Sequence, residues 1–311
     1  MAADEKVAGG AGAGRPGASG ILRPLLLTAL AMLAFAANSV LCRLALTQSA
    51  IDPASFTLVR IASGAASLWL IARATGHGAP GWGGGSWAGA AALLAYAAAF
   101  SFAYVTMTAG TGALLLFGAV QATMVLAGLK RGERLVPMQW AGLTLALAGL
   151  ALLLAPGLSA PDPLGALLMV VAGVAWGAYS LLGRTSRDHP VATTAGNFLR
   201  AAPAAAALAL LAAAAGGLTI GTGLRWDGTG LLYAVLSGAF ASGAGYSIWY
   251  AALPALTAAR AASVQLSVPV ITAMVAILAL GEPLTLSLLV SSAAVLGGIG
   301  LVIAGRRTGG R

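Results

Sequence analysis

Three kinds of side chain in this sequence could do chemistry, and the chemistry is that of reversible binding. Aromatic rings come first. Tyr96, Phe100 and Tyr104 recur at i, i+4 and i+8, one face of a helix; Trp176 and Tyr179 follow at i, i+3; Tyr246, Trp249 and Tyr250 form a third group. An aromatic or amphiphilic ligand can stack on such faces, and ordinary core packing uses the same spacing. Amides come second. Asn38, Gln121 and Gln265 lie inside apolar runs, where hydrocarbon cannot satisfy them. Each either holds a ligand or ties two helices together, the latter for about 0.6–2 kcal/mol. Ser101, Thr123, Ser242 and Ser267 can supplement them. Cations come last. Arg60 and Arg200 sit deep in apolar segments. Either they capture a carboxylate or make a gating contact, or they snorkel to an interface and donate to carbonyls at a helix end.

Bond-breaking chemistry lacks its parts. His77 and His189 fall in loops, no His-Glu-x-x-His pair occurs, and no acid lies inside an apolar run. The expectation is no catalytic residue, no metal ligand and no cofactor. Cys42 is the single cysteine, which excludes an intramolecular disulfide and suits a small packing residue. The missing embedded acids also argue against a carboxylate proton relay and against a cationic ligand. A phosphorylated ligand would need converging cations, and Arg60 and Arg200 are far apart in the chain.

The elements that position these residues follow from composition. Only 8% of residues are charged, 59% are hydrophobic, and mean hydropathy is +0.91. Apolar runs of about 20 residues match a hydrocarbon core of roughly 30 Å, so the chain reads as an all-α membrane protein. Continuous Ala/Leu runs without strand alternation exclude a barrel. Breaks at Gly, Pro and charge clusters predict ten transmembrane helices over 24–43, 54–73, 86–106, 110–128, 138–155, 163–183, 191–214, 229–252, 257–280 and 285–304. Residues 1–21 read as a disordered cytoplasmic tail and 306–311 as a second tail. The first apolar stretch is too long for a signal-peptide core and should stay as a span.

Net charge is +9, yet the basic residues occupy short loops and tails, with no basic stripe and no aromatic–basic RNA motif. Nucleic acid is therefore not an expected partner; the lipid bilayer is. With the amino terminus inside, cytoplasmic segments collect Lys6, Arg15, Arg23, Arg73, Lys130, Arg131, Arg134, Arg184, Arg187, Arg306, Arg307 and Arg311. External segments keep only Arg43 and Arg225. The positive-inside rule then places both termini in the cytoplasm and the chain in the inner (plasma) membrane. Trp82, Trp87, Trp140 and Trp226 fall at span ends, where indole rings favour the interface.

The chain also contains a faint copy of itself. Gly132-Glu133-Arg134-Leu135 reappears as Gly281-Glu282-Pro283-Leu284, each closing the fourth span of its half. Phe35-Ala36-Ala37-Asn38 leading to Arg43 matches Trp176-Gly177-Ala178-Tyr179 leading to Arg184. Pro53, Phe56 and Arg60 match Pro190, Phe198 and Arg200 more loosely. Five spans per copy invert the second copy, an arrangement that builds two alternating gates around one central site. Small residues should let helices meet closely: Gly173-x-x-x-Gly177, Ala293-x-x-x-Gly297, Gly298 and Gly300. Gly110, Gly112, Gly243 and Gly245 are hinge candidates.

On Asn38 to Arg43, Pro53-x-x-Phe56-x-x-x-Arg60, Gln121 through Gly132-Glu133, and Pro269 through Gly281-Glu282-Pro283-Leu284, the chain resembles the EamA-type drug/metabolite transporter superfamily. The resemblance covers about 22 to 305 and implies two inverted five-helix repeats, 22–156 and 161–305. It implies a transporter rather than an enzyme, closest in character to bacterial exporters of amino acids, including aromatic ones. Superfamily members also move nucleotide sugars, phosphorylated sugars and other metabolites. The reading is export of a neutral or aromatic amino acid by alternating access, with Asn38, Tyr96, Phe100, Gln121, Trp176, Tyr179, Tyr246 and Gln265 lining the site. The alternative is another small neutral metabolite or drug; a channel or membrane enzyme has fewer features in its favour. Nothing in the sequence sets the oligomeric state, and a monomer suffices for this scheme.

Overall fold

A computed structural model describes residues 18–76, 84–132, 134–155, 161–217, 225–256 and 264–308. Tail residues 1–17, His77, Trp82, Glu133, residues 257–263 of the ninth span and tail residues 309–311 lie outside the described residues.

The helices begin where the sequence supplies caps. Asp52 accepts from the backbone N–H of Ala54 and Ser55, Ser86 from Gly89, Thr108 from Thr111, Asp162 from Gly165 and Asp227 from Gly230. Each fills an orphan donor of a first turn. Pro53, Pro137 and Pro163 stand in the first turn, where the missing N–H costs nothing. The resulting helices are α1 (Ala18–Gln48), α2 (Pro53–Ala74), α3 (Trp87–Ala103), α4 (Ala109–Lys130), α5 (Pro137–Leu154), α6 (Pro163–Thr185) and α7 (Pro190–Gly217). They are followed by α8 (Gly228–Ala255), α9 (Ser267–Leu280) and α10 (Leu286–Thr308). Gly281 ends α9 in the left-handed region at φ +67°, a conformation glycine adopts without a Cβ clash.

Eight of these helices are long and apolar enough to cross a membrane; α3 and the described part of α9 are shorter apolar helices. The expected boundaries of the fully described helices hold to a few residues, except that α1 starts six residues earlier, at Ala18 within the expected tail, and extends five residues further at its carboxyl end, to Gln48. Leu210, Leu211, Leu278 and Leu286 are among many large apolar side chains exposed on the outer surface, as a lipid-facing surface requires.

The sequence reading treats the eighth span as one α-helix. The structure makes it composite: α-helical over Gly228–Val235, π-helical over Leu236–Ala244, α-helical again over Gly245–Ala252, and 3-10 over Leu253–Ala255. The π stretch ends at Gly243 and the following Ala244, so the suggested hinge glycine marks a real irregularity in the ladder.

Packing follows the repeat. α2 packs on α7, and α5 on α10, each helix against its own counterpart in the other half. α3 on α6 is mirrored by α8 on α1, α4 on α6 by α9 on α1, and α2 on α8 by α7 on α3. α5 and α10 form an outlying pair. A Cβ on Gly142 would lie 2.5 Å from the Gly298 carbonyl oxygen, and a Cβ on Gly298 would lie 2.5 Å from that of Gly142. Gly173 and Gly177 likewise press α6 onto Ala119 and Thr123 of α4. Gly297 and Gly300 do not serve this purpose: nothing stands within 4 Å of where their Cβ would be, because the stripe of α10 turned to α5 runs through Val295, Gly298, Val302 and Gly305.

Candidate functional site

A cavity opens where helices of both halves meet. Phe35, Asn38 and Ser39 of α1, Tyr96 and Phe100 of α3, and Leu116 and Phe117 of α4 line it from the first half. Trp176 of α6, Ala241 and Tyr246 of α8, and Gln265 just before α9 line it from the second. Six expected residues, Asn38, Tyr96, Phe100, Trp176, Tyr246 and Gln265, are thus brought together. The rings form a continuous wall. Tyr96 lies 4.9 Å from Trp176 and 5.3 Å from Phe100, and Trp176 lies 5.2 Å from Tyr246, centroid to centroid. The cavity leaves about 30 Å³ open to the centre of a water molecule. At roughly 10–15 Å³ per water it holds two or three waters, so any larger guest must push rings aside.

Other expected residues lie elsewhere. Tyr179 stacks on Trp176 at 5.4 Å, one layer behind the wall. Gln121 faces a second, apolar crevice with Gly118, Leu143, Leu147 and Ile299, among α4, α5 and α10. Its face of α4 is the one turned toward the outlying pair. Arg200 donates to the carbonyls of Gly84 and Gly196, and its guanidinium carbon lies 5.8 Å from the Trp87 ring centroid. It therefore adopts the carbonyl-binding alternative, at the junction with the segment entering α3.

Arg60 is different. It is 1% exposed and does not snorkel. Its Nη2 donates to the Tyr96 hydroxyl at 3.0 Å and its Nε to Ser242 Oγ at 3.5 Å. The guanidinium carbon is 5.0 Å from the centroids of both the Tyr96 and Phe100 rings, contacts that contribute about 0.5–2 kcal/mol each. Arg60 Nη1 has no partner. Asn38 Nδ2 also donates to the Tyr96 hydroxyl, at 3.1 Å, while Asn38 Oδ1 accepts from Ser237 Oγ at 2.7 Å. One polar chain thus runs Ser237–Asn38–Tyr96–Arg60–Ser242. Its two ends lie five residues apart on the π stretch, and i→i+5 geometry is what brings such residues onto one face. Ser67 Oγ adds a bond to the Ala239 carbonyl at 2.9 Å. The crossing is close: a Cβ on Gly238 would collide with Ser63 Oγ and the Arg60 carbonyl.

Several participants were not anticipated. Phe35, Asn38 and Ser39 share a helix face at i, i+3, i+4, and that spacing could have flagged Phe35 and Ser39 alongside Asn38. No residue pattern announces the π stretch.

One end of the bundle is laced across the two halves. Arg43 Nε pairs with Glu282 Oε1 at 3.4 Å, and Arg43 Nη1 donates to the carbonyls of Tyr104 (2.8 Å) and Val105 (3.1 Å). Glu282 in turn accepts from the Ala109 N–H at 2.9 Å, at the start of α4, where a helix favours negative charge. Thr106 donates to Asp162 at 3.2 Å, the Ala50 N–H to Asp227 at 3.1 Å, and the Arg225 N–H to Asp52 at 3.0 Å. Apart from the Arg43 bonds to Tyr104 and Val105, each of these contacts joins a first-half residue to a second-half residue. Among the described residues no group of His, Cys, Asp or Glu is arranged to hold a metal ion.

A sequence profile described as the EamA-like transporter family matches residues 22–155 and again 163–304. An uncharacterized protein of Pseudomonas aeruginosa, PA1977, is 58% identical over 284 residues, covering 91% of this chain and 96% of that one. A solved structure, described only as "Crystal structure of protein", shares 20% identity and a TM-score of 0.64 across 91% of this chain and 99% of its own. That likeness bears on the fold alone.

Proposed function

The chain belongs to the EamA-like transporter family, within the drug/metabolite transporter superfamily, and from that premise we propose that it exports small metabolites from the cytoplasm, foremost neutral or aromatic amino acids. It is a multi-pass membrane protein of a transporter family, and the finer reading places it in the inner membrane with both termini in the cytoplasm. The observation that carries the substrate class is the aromatic-walled cavity at the meeting of the two halves, with the amides Asn38 and Gln265 on its surface. A flat or branched apolar side chain stacks on the rings of Tyr96, Trp176 and Tyr246, and the amides meet the polar end of the same molecule. On this orientation the laced end, with Arg43 and Glu282, faces outside and shuts the cavity from it. Release outward requires those cross-half contacts to part, and reloading requires them to re-form, the two-state exchange of an inverted-repeat carrier. Five described acids, Asp52, Asp162, Asp188, Asp227 and Glu282, all stand in loops or cap helices, which supports export down a substrate gradient without an embedded carboxylate relay.

A panel in proteoliposomes tests the reading. Saturable, counterflow-competent flux of Phe, Trp, Met, Leu or Thr is expected, with loss in Trp176→Ala and Tyr96→Ala. Transport of a sugar phosphate and of none of these amino acids would overturn it. Linear, non-saturating flux would point to a pore instead.

A further inference from the structure

An uncompensated positive charge lies beside the central cavity, and the wall residues nearest it, Tyr96 and Asn38, each keep a donor hydrogen. Arg60 is buried behind the Tyr96 and Phe100 rings, its Nη1 without a partner. Among the described residues no acid stands inside a helix bundle position from which it could neutralise this charge; Asp52, Asp162, Asp188, Asp227 and Glu282 all belong to helix ends and loops. The Tyr96 oxygen already accepts twice, from Asn38 Nδ2 and from Arg60 Nη2. A phenol offers one O–H, and that of Tyr96 meets no acceptor among the described residues, though the ring lines the cavity. Asn38 is held in one orientation, because Ser237 donates to its Oδ1, so its second amide hydrogen is also left over. Accepting a bond from a guanidinium polarises the Tyr96 O–H further and makes it a stronger donor.

A site built this way is one half of an ion pair. We propose that the molecule held in this cavity carries a single carboxylate, received by the Tyr96 O–H and the free Asn38 amide hydrogen, with Arg60 as the counter-charge behind them. The inference rests on the reading of the cavity as the substrate site and narrows its ligand class. A second anionic group would find no second cation, since Arg200 is committed to the carbonyls of Gly84 and Gly196. A primary amine without a carboxylate would bring a second positive charge near Arg60 with no anion to offset either. The ammonium of an amino acid, by contrast, has the π faces of Trp176 and Tyr246 and the Gln265 carbonyl oxygen on the remaining wall.

The test uses the full chain in lipid nanodiscs and two acid–amide pairs, L-phenylalanine with L-phenylalaninamide and benzoate with benzamide. Apparent affinities are taken from the concentration dependence of thermal stabilisation. Each acid is expected to bind at least tenfold more tightly than its amide. Arg60→Gln should bring that ratio close to one, and Arg60→Lys should retain part of it. Tyr96→Phe keeps the ring, removes the O–H and should cut the ratio without abolishing binding of benzamide, so the inference remains testable if Arg60→Gln does not fold. Preference for benzoate with no binding of L-phenylalanine would sustain the carboxylate inference and overturn the amino-acid reading. Equal binding of acids and amides, or no binding of either acid, would overturn the inference itself.

Discussion

Replacing Glu282 by Gln should loosen the laced end by an amount the structure lets one work out. Gln keeps an oxygen to accept the Ala109 N–H, and Arg43 keeps its bonds to the Tyr104 and Val105 carbonyls. What is lost is charge. At 3.4 Å the raw attraction of the pair is about 5 kcal/mol with an effective dielectric constant of 20. Desolvation and side-chain entropy remove most of that, and with the two side chains 17% and 10% exposed the net pair is worth about 1 kcal/mol. The carboxylate at the start of α4 adds about 0.3–1 kcal/mol. A total of about 1.3–2 kcal/mol corresponds to a roughly nine- to thirtyfold rise in the opened population. The protein supplies its own reporter: Cys42 is the only cysteine, is fully buried, and adjoins Arg43 on α1. Its labelling by a small maleimide, measured at reagent levels where opening precedes reaction, should accelerate by that factor in Glu282→Gln. Glu282→Ala, which also leaves the Ala109 N–H without its acceptor, should accelerate it more. An unchanged or slower rate, in protein with unaltered thermal stability, would refute the latch.

Gly142→Ala or Gly298→Ala should each lower stability by about 1–3 kcal/mol through overpacking, and the double variant should cost less than the sum, since separating α5 from α10 once relieves both clashes; additive losses in detergent-unfolding titrations would contradict this. Efflux from proteoliposomes should run down a substrate gradient without an imposed pH gradient; uphill accumulation driven by protons alone, and abolished by an Asp or Glu substitution, would show the acid-free argument to be wrong. A cysteine at Arg131 should be labelled only from the cytoplasmic side in cells, and labelling from outside would invert the assigned topology.

How far the sequence could be read depended on whether a signal was local. Helix starts were legible because Asp52, Ser86, Asp162 and Asp227 act on their own next turn, and Pro53, Pro137 and Pro163 confirm them within a residue. The aromatic stripe was legible for the same reason, and Tyr96, Phe100, Trp176 and Tyr246 do share one wall. Gln121 shows the limit: depth in a span says nothing about which face is turned inward when the helix is apolar all round, and its face is α5's and α10's. Arg60 and Arg200 look alike in sequence and differ in space, one held by side-chain hydroxyls and aromatic rings with its Nη1 unpartnered, the other bonded to backbone carbonyls. The Arg43–Glu282 pair is 239 positions apart, from numbers 43 and 282, and only the inverted assembly brings its halves together. The π stretch coincides with tight apposition to α2 at Gly238, a tertiary circumstance without a local signature.

The contact between Gly142 and Gly298 limits how this chain can change over generations. Most close contacts in a protein are forgiving, because an enlarged side chain on one helix can be answered by a trimmed one on its neighbour. Here each Cα faces the other's carbonyl oxygen, and main chain cannot be trimmed. A substitution at either position thus has no compensating partner across the interface. Revertants selected after such a change should restore the glycine itself or alter the helices' spacing elsewhere, at Gly149 against Val295 or at the Gln139 amide bonded to the Val302 carbonyl. The two halves, free to diverge in their loops and cavity walls, are bound to inherit this crossing together.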